Sequence, residues 1–556
     1  MPRRCLQFRC HFDVLWSEVS TPEYRFARVW WNCVSDRNRQ EDQTNQDNSG
    51  SGYYLPWFGR FFAPIASITV YLLLDGAALS GAAQATAAIG ILMAILWMTE
   101  AMPLPITSLL PIVLFPLAGV LEISEATAPY ADEIIFLFMG GFMLALAMQR
   151  WGLHRRIALL IVVIVGTRPR RLIAGFMVAT AFLSMWISNT ATTVLMLPIA
   201  ASIVGLVIDQ LQRRGALPDE VDETIEVPEF AESAPAFSTG LMLAVAYSAS
   251  IGSVGTLIGT PPNLFMRAYL ESAYGIEIGF GQWMLVGVPL AIVLLIIAWF
   301  LLAFVLYRPE VDDIPGGKAL VDRELESLGP LSRAEKLVLT VFLLTAFSWI
   351  LREPVTGWSV LVERAPWVQN ITDTTIAIAA AIALFAIPVQ PRKGEFIMNW
   401  EKAKELPWNV LLLFGGGLSL AGAVQSSELD EWIGTQVTVL EFLPLILLAA
   451  VAAAMILLLT ELTSNTATAA TFLPILGGVA LGIGVDPMLL IIPAALAASC
   501  AFMMPVATPP NAIVFGSGYL KIGQMIRAGV FLNVISVTLI TIVAFTLASW
   551  VFGITY

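Results

Sequence analysis

From residue 60 onward the chain is a succession of apolar runs separated by short polar or Pro/Gly-containing segments. A run of about 20 apolar residues is what an α-helix needs to cross a bilayer. The alternating ten-residue strands of a membrane β-barrel are missing from the pattern. Hydropathy predicts about eleven transmembrane helices, over 60–76, 83–100, 103–120, 133–149, 237–273, 282–307, 333–352, 371–388, 407–425, 487–520 and 526–553. Two further apolar stretches, 172–208 and 442–482, each carry a polar cluster near the middle and predict re-entrant hairpins. The expected fold class is an all-α integral membrane protein.

The polar clusters are copies of one another. Ser188-Asn189-Thr190-Ala191-Thr192 is followed by an apolar run to Pro198, and Ser464-Asn465-Thr466-Ala467-Thr468 by one to Pro474, with the same spacing between copies throughout. Phe138-Met139-Gly140-Gly141-Phe142 stands at that spacing from Phe414-Gly415-Gly416-Gly417-Leu418. Gly259-Thr260-Pro261-Pro262-Asn263 and Ala507-Thr508-Pro509-Pro510-Asn511 form a third pair, set closer together because an acidic stretch, 218–232, follows only the first hairpin. A half-chain duplication accounts for all three. It divides the chain into a polar N-terminal tail over 1–58, a first transmembrane helix over 59–82, a first repeat over 83–307 with its tip at 188–190, a linker over 308–332, and a second repeat over 333–556 with its tip at 464–466.

Basic residues stay preferentially on the cytoplasmic side of a membrane. Arg150, Arg155, Arg156, Arg168, Arg170 and Arg171 precede the first hairpin, whereas 425–441 before the second has no Lys or Arg and four acids. The hairpins are expected to come in from opposite faces, which is an inverted-topology repeat. Arg308, Lys318, Arg323, Arg392, Lys393, Lys402 and Lys404 fall inside on this reading, and Glu122, Glu125, Glu271 and Glu277 outside. The N-terminus is then cytoplasmic and the C-terminus extracytoplasmic, in the cell membrane.

Composition narrows the function. Of 556 residues 57% are hydrophobic and 13% charged, with a mean hydropathy of +0.78, so the bilayer is the solvent for most of the chain. The net charge of −12 gathers in loops and nothing resembles a nucleic-acid surface. Cys5, Cys10, Cys33 and Cys500 form neither a disulfide framework nor a metal motif. His11 and His154 are the only histidines, which leaves no material for a zinc site or a Ser-His-Asp triad among the apolar runs. An enzyme is not expected, and no organic cofactor. The tail, with Arg3, Arg4, Arg9, Arg25, Arg28 and the polar run 36–52, reads as disordered and without a signal peptide.

Each tip offers a hydroxyl, an amide and a second hydroxyl in succession. Ser184 and Thr460, four residues before Ser188 and Ser464, share a helical face with them. Proline lacks an amide donor and clashes with the preceding turn, so the Thr-Pro-Pro-Asn motifs break their helices and free carbonyls near Gly259 and Ala507. Hydroxyl, amide and carbonyl oxygens suit a small cation, while helix N-termini suit an anion. No Lys or Arg lies within these motifs, and an uncompensated ion in low dielectric is strongly disfavoured. Cations bound with the anion would supply the countercharge. Gly140, Gly141 and Gly415 to Gly417 are assigned to close helix packing, and Arg267, Glu461, Glu100 and Asp373 to structural roles.

At these residues the chain resembles the divalent anion/sodium symporter family, over roughly 60–556; SMWISNTAT at 184–192 looks like that family's first tip along its length. The resemblance implies a homodimer in which hairpins and broken helices form a transport domain that slides against a scaffold in an elevator-type mechanism. It also implies that Ser188, Asn189, Thr190, Ser464, Asn465 and Thr466 contact substrate carboxylates, with Thr260, Pro261, Thr508 and Pro509 closing the pocket. One sodium would lie among Ser184, Ser188, Asn189 and the Gly259 carbonyl. The other would lie among Thr460, Thr463, Ser464, Asn465 and the Ala507 carbonyl. The expected activity is sodium-coupled uptake of a C4-dicarboxylate such as succinate, malate or fumarate. Citrate or sulfate as substrate, and sodium-independent exchange, remain open.

Overall fold

The computed structural model describes residues 54–75, 79–166, 168–213, 235–436 and 443–554. The tail as far as residue 53 and the acidic stretch 218–232 lie outside them.

The chain folds into helices, with one short pairing of β1 (Pro388–Gln390) and β2 (Glu395–Phe396) among the described residues. α1 (Tyr54–Leu73), α2 (Gly81–Met98) and α3 (Leu104–Leu117, interrupted after Thr107) come first. A series then runs α4 (Glu133–Arg150), α5 (Leu153–Val165), α6 (Pro169–Ser184), α7 (Asn189–Arg213), α8 (Ala236–Ser253), α9 (Pro261–Tyr274) and α10 (Phe280–Phe300). α11 (Gly317–Ser327), α12 (Arg333–Thr356) and α13 (Asp373–Ala386) separate it from a second series. That series is α14 (Trp408–Ser426), α15 (Leu429–Gln436), α16 (Leu445–Thr460), α17 (Asn465–Gly482), α18 (Met488–Ala498), α19 (Pro509–Phe515) and α20 (Ile522–Val543). The two series repeat one order of elements, as the sequence duplication requires.

Local sequence sets the helix ends. Ser80, Asp132 and Thr372 accept backbone N–H groups as N-caps of α2, α4 and α13. Ser332 and Glu335 form a reciprocal capping box at the start of α12. Both expected hairpins are helix-turn-helix pairs, α6 with α7 and α16 with α17.

Among the described residues nine helices are long and apolar enough to cross a membrane. The nine differ from the roughly eleven expected crossings in both directions: they include α7 and α17, expected as hairpin halves, and lack the span expected at 60–76. An apolar window also ignores breaks in the backbone. The spans expected at 103–120, 371–388 and 487–520 hold shorter apolar helices, Leu104–Leu117, Asp373–Ala386 and Met488–Ala498. In 237–273 the helix stops at Ser253 and restarts at Pro261.

α8 sits at the centre, every residue from Phe237 to Ser253 buried. α10 and α20 turn Ile292, Ile296, Phe300, Phe531 and Val534 outward, as lipid-facing helices do. Small residues allow the closest approaches. A Cβ on Gly140 would lie 2.7 Å from the Ala377 carbonyl of α13, and one on Gly416 only 2.4 Å from the Ser108 carbonyl, so both glycines are packing positions, as assigned.

Candidate functional site

Four helix N-termini converge on one cavity of about 990 Å³. α7 and α17 begin at Asn189 and Asn465, and α9 and α19 begin at Pro261 and Pro509 after N-cap residues Thr260 and Thr508. Proline is tolerated at a first helical position because its missing N–H would be unpaired there anyway. Thr260 (φ −144°, ψ 141°) and Thr508 (φ −141°, ψ 149°) are held in nearly the same extended conformation, so the two breaks repeat in geometry as well as in sequence.

Of the expected site residues, Ser188, Asn189, Thr190, Gly259, Thr260, Pro261, Thr463, Ser464, Asn465, Thr466, Ala507, Thr508 and Pro509 line this cavity. Ser184 and Thr460 do not; both are fully buried behind their tips. Each helix N-terminus carries roughly half a positive charge, and the lining contains no Lys or Arg. Backbone dipoles are therefore the electropositive element facing a bound anion.

The asparagines of the Thr-Pro-Pro-Asn motifs have a different task. Asn263 donates to the Thr256 carbonyl at 2.9 Å, and Asn511 to the Met504 carbonyl at 3.0 Å. Both are completely buried. They fasten each unwound segment to the helix that follows it.

The two tips are not equivalent. In the first, Asn189 Nδ2 donates to Ser253 Oγ at 3.2 Å, while Asn189 Oδ1 and Ser184 Oγ are buried without a hydrogen-bond partner. With Thr192 Oγ1 there are three such unpaired oxygens, one at the end of α6 and two in the first turn of α7, and they are acceptors of the kind a small cation takes. In the second, Thr460 Oγ1 lies 2.7 Å from Asn465 Oδ1 and 3.1 Å from the Ala498 carbonyl. Thr463 Oγ1 pairs with Thr468 Oγ1 at 2.7 Å; the first tip has Ile187 in the matching place. The oxygens at the second tip already have hydrogen-bond partners, while their counterparts at the first do not.

Glu461 explains how the second break keeps its shape. Its carboxylate accepts from the amides of Phe502, Met503 and Met504 at 2.8 to 2.9 Å and from Asn533 Nδ2 at 2.6 Å. The matching residue in the first half is Met185, whose backbone carbonyl accepts from Thr256 Oγ1 at 2.5 Å. The structural role assigned to Glu461 is thus an amide clamp on the segment leading to Ala507.

Sequence reasoning missed several lining residues. Gln149, Glu405 and Asn409 border the cavity together with Phe138, Phe142 and Leu413. Glu100, taken as a span-end residue, lines it too, in a left-handed backbone conformation (φ 47°) that non-glycine residues rarely adopt. Phe138 and Phe142 belong to the repeated Phe138–Phe142 motif, and Gln149 recurs as Gln425 at the same spacing. Glu100 and Glu405 have no such copy, and a search for lone polar residues at predicted helix ends would have found Glu100.

The family described as "Sodium:sulfate symporter transmembrane region" matches residues 56–554. A sodium-dependent dicarboxylate transporter, SdcS, of Staphylococcus saprophyticus is 41% identical over 497 residues, which are 89% of this chain and 92% of that protein. SdcS of Staphylococcus aureus is 43% identical over 459 residues, 82% of this chain and 84% of the relative. Among solved structures the YdaH transporter of Alcanivorax borkumensis superposes with a TM-score of 0.51 at 13% identity, covering 77% of this chain and 87% of that one, a likeness of fold alone.

Proposed function

This chain belongs to the sodium:sulfate symporter family, a family of multi-pass membrane transporters and not of enzymes, and we propose that it is a sodium-coupled symporter of C4-dicarboxylates such as succinate, malate and fumarate. The observation that carries the reading is the convergence of both Ser-Asn-Thr tips and both Thr-Pro breaks on one cavity free of Lys and Arg. The relatives described above carry dicarboxylates in a sodium-dependent manner, by name, and the site is chemically suited to both ligands.

In the proposed arrangement Ser188, Asn189, Thr190, Ser464, Asn465 and Thr466 donate to the two carboxylates, with Thr260, Pro261, Thr508 and Pro509 closing around them. Sodium ions are carried along with the substrate. One sits among Ser184, Ser188, Asn189 and the Gly259 carbonyl, the other among Thr460, Thr463, Ser464, Asn465 and the Ala507 carbonyl. The unpaired oxygens of Ser184 and Asn189 support the first. The bound sodium ions also supply the positive charge for a dianion that meets no Lys or Arg in the cavity lining.

The tips belong to re-entrant hairpins of an inverted-topology repeat, and the site alternates between the two sides of the membrane by elevator-type sliding of the repeats' core against a scaffold, within a homodimer. Contact between Phe138 and Phe414, matching residues of the two halves, supports a two-fold relation between them. A cytoplasmic N-terminus is supported by the meeting of basic segments at one end: Arg155 pairs with Glu324, Arg156 with Glu335 at 2.6 Å, and Arg150 donates to the Ile397 carbonyl.

The test is uptake of labelled succinate into proteoliposomes under an inward sodium gradient, repeated with choline in place of sodium and with unlabelled malate, citrate and sulfate as competitors. Sodium-dependent uptake blocked by malate is expected. Uptake indifferent to sodium but stimulated by malate loaded inside identifies an exchanger instead, and competition by citrate or sulfate alone reassigns the substrate.

A further inference from the structure

A buried charge network lies at the end of α4 opposite Gln149, one of the cavity-lining residues. α4 spans 18 residues, about 27 Å of helix. Gln149 near its C-terminus lines the cavity, while the Glu133 carbonyl at its N-terminus accepts from Thr374 at the head of α13. There Arg267 of α9 and Asp373 of α13, both fully buried, pair at 2.9 Å. α9 packs mainly on α17, α14 and α18, whereas α13 packs on α4 and α12. The ion pair bridges these two sets of helices. The backbone N–H of Phe280, at the start of α10, donates a hydrogen bond of 3.1 Å to the same carboxylate oxygen.

Each member of the pair also has a second partner on its own side. Arg267 Nε lies 3.9 Å from Glu271 and Nη2 lies 4.0 Å from Glu277, and neither nitrogen has a hydrogen bond. Asp373 Oδ1 lies 2.9 Å from Arg352 Nε of α12, a charge contact without hydrogen-bond alignment, and the Asp373 carbonyl accepts from Trp349 Nε1. Pulling apart an ordinary buried ion pair leaves two uncompensated charges in low dielectric. Here separation also breaks the 3.2 Å hydrogen bond from Arg352 Nη2 to Glu277, but it leaves Arg267 with Glu271 and Glu277, and Asp373 with Arg352. Charges of both signs remain together on each side, which lowers the cost of opening.

We propose that Arg267 and Asp373 form an exchangeable ionic latch, closed when the cavity is open at the Gln149 end and released in every transport cycle. The inference rests on the elevator reading above. In the released state α9 moves away from α13 with Arg267 turned onto Glu271 and Glu277.

The test uses full-length protein with its four native cysteines replaced, carrying Arg267→Cys and Asp373→Cys, reconstituted in proteoliposomes and treated with a short bis-methanethiosulfonate. Cross-linking is expected to lower sodium-driven succinate uptake at least tenfold, with recovery under reductant and no effect on either single variant. Undiminished uptake by the cross-linked protein overturns the latch. Should the double variant fail to insert, Asp373→Asn decides. On a Val410→Cys reporter lining the cavity, the latch predicts at least threefold slower thiol labelling when Asp373→Asn is added; an unchanged rate overturns it. Failure of the transport reading shows separately, as no sodium-driven uptake by the parent, and takes the latch down with it.

Discussion

The aromatic rings of Phe138 and Phe414 lie 5.2 Å apart, and these two residues hold matching places in the two sequence repeats. Phe138 borders the cavity, so the halves of the chain meet beside the site that both of them build. The amides at the two tips are matching residues as well, and each is open to a test of its own.

Asn189→Ala and Asn465→Ala each remove an amide that faces the cavity. A hydrogen bond to a charged group is worth about 1.5–3 kcal/mol, so succinate uptake below saturation is expected to fall about tenfold or more in each. Detergent-solubilised protein should elute and unfold much as the parent does. Normal uptake by both variants removes the assignment of the tips to substrate.

The inequality of the tips gives a paired prediction. Ser184→Ala deletes a buried hydroxyl that has no partner and should leave the unfolding temperature unchanged while raising the sodium concentration needed for half-maximal uptake. Thr460→Val strips Asn465 Oδ1 of its 2.7 Å donor and should destabilise the fold by about 1–3 kcal/mol. Equal thermal shifts in the two would contradict the hydrogen-bond pattern.

Glu461→Ala leaves three backbone amides and the Asn533 side chain without their acceptor. Each unsatisfied buried donor costs about 1–3 kcal/mol, so the variant should express poorly and unfold well below the parent. Glu461→Gln keeps an acceptor oxygen and should recover part of the loss. Thermal unfolding of the purified proteins ranks the two.

Gly416→Val tests close packing. Its Cβ would have to displace the backbone at Ser108, and overpacking typically costs about 1–3 kcal/mol. Gly422→Ala, on the same helix with open space around the added carbon, is the control and should be neutral in the same melting assay.

Much of the site was legible because the duplication is written in the sequence. A motif that recurs with its surroundings identifies residues that share a task, and every motif residue proposed to touch substrate lines the cavity. Glu100 and Glu405 were not legible as lining, since each lacks a copy at the repeat spacing and a lone polar residue looks the same whether it faces lipid headgroups or a cavity. Gln149 does recur, as Gln425, but outside the polar tips and breaks. Arg267 and Asp373 were marked only as structural. Nothing in their separate contexts pairs them, because the contact is made between helices distant in the chain.

The sequence by itself determined the membrane class, the two-fold repetition and the residue types at the four breaks, because hydropathy, proline and helix capping act over a turn or two of chain. Tertiary structure alone decided that four helix N-termini point into one cavity, that the second tip spends its oxygens on internal hydrogen bonds while the first leaves three unpaired, and which buried charges face each other. Those outcomes depend on how helices far apart in sequence pack, and packing is settled by shape and by the demand that every buried polar group find a partner.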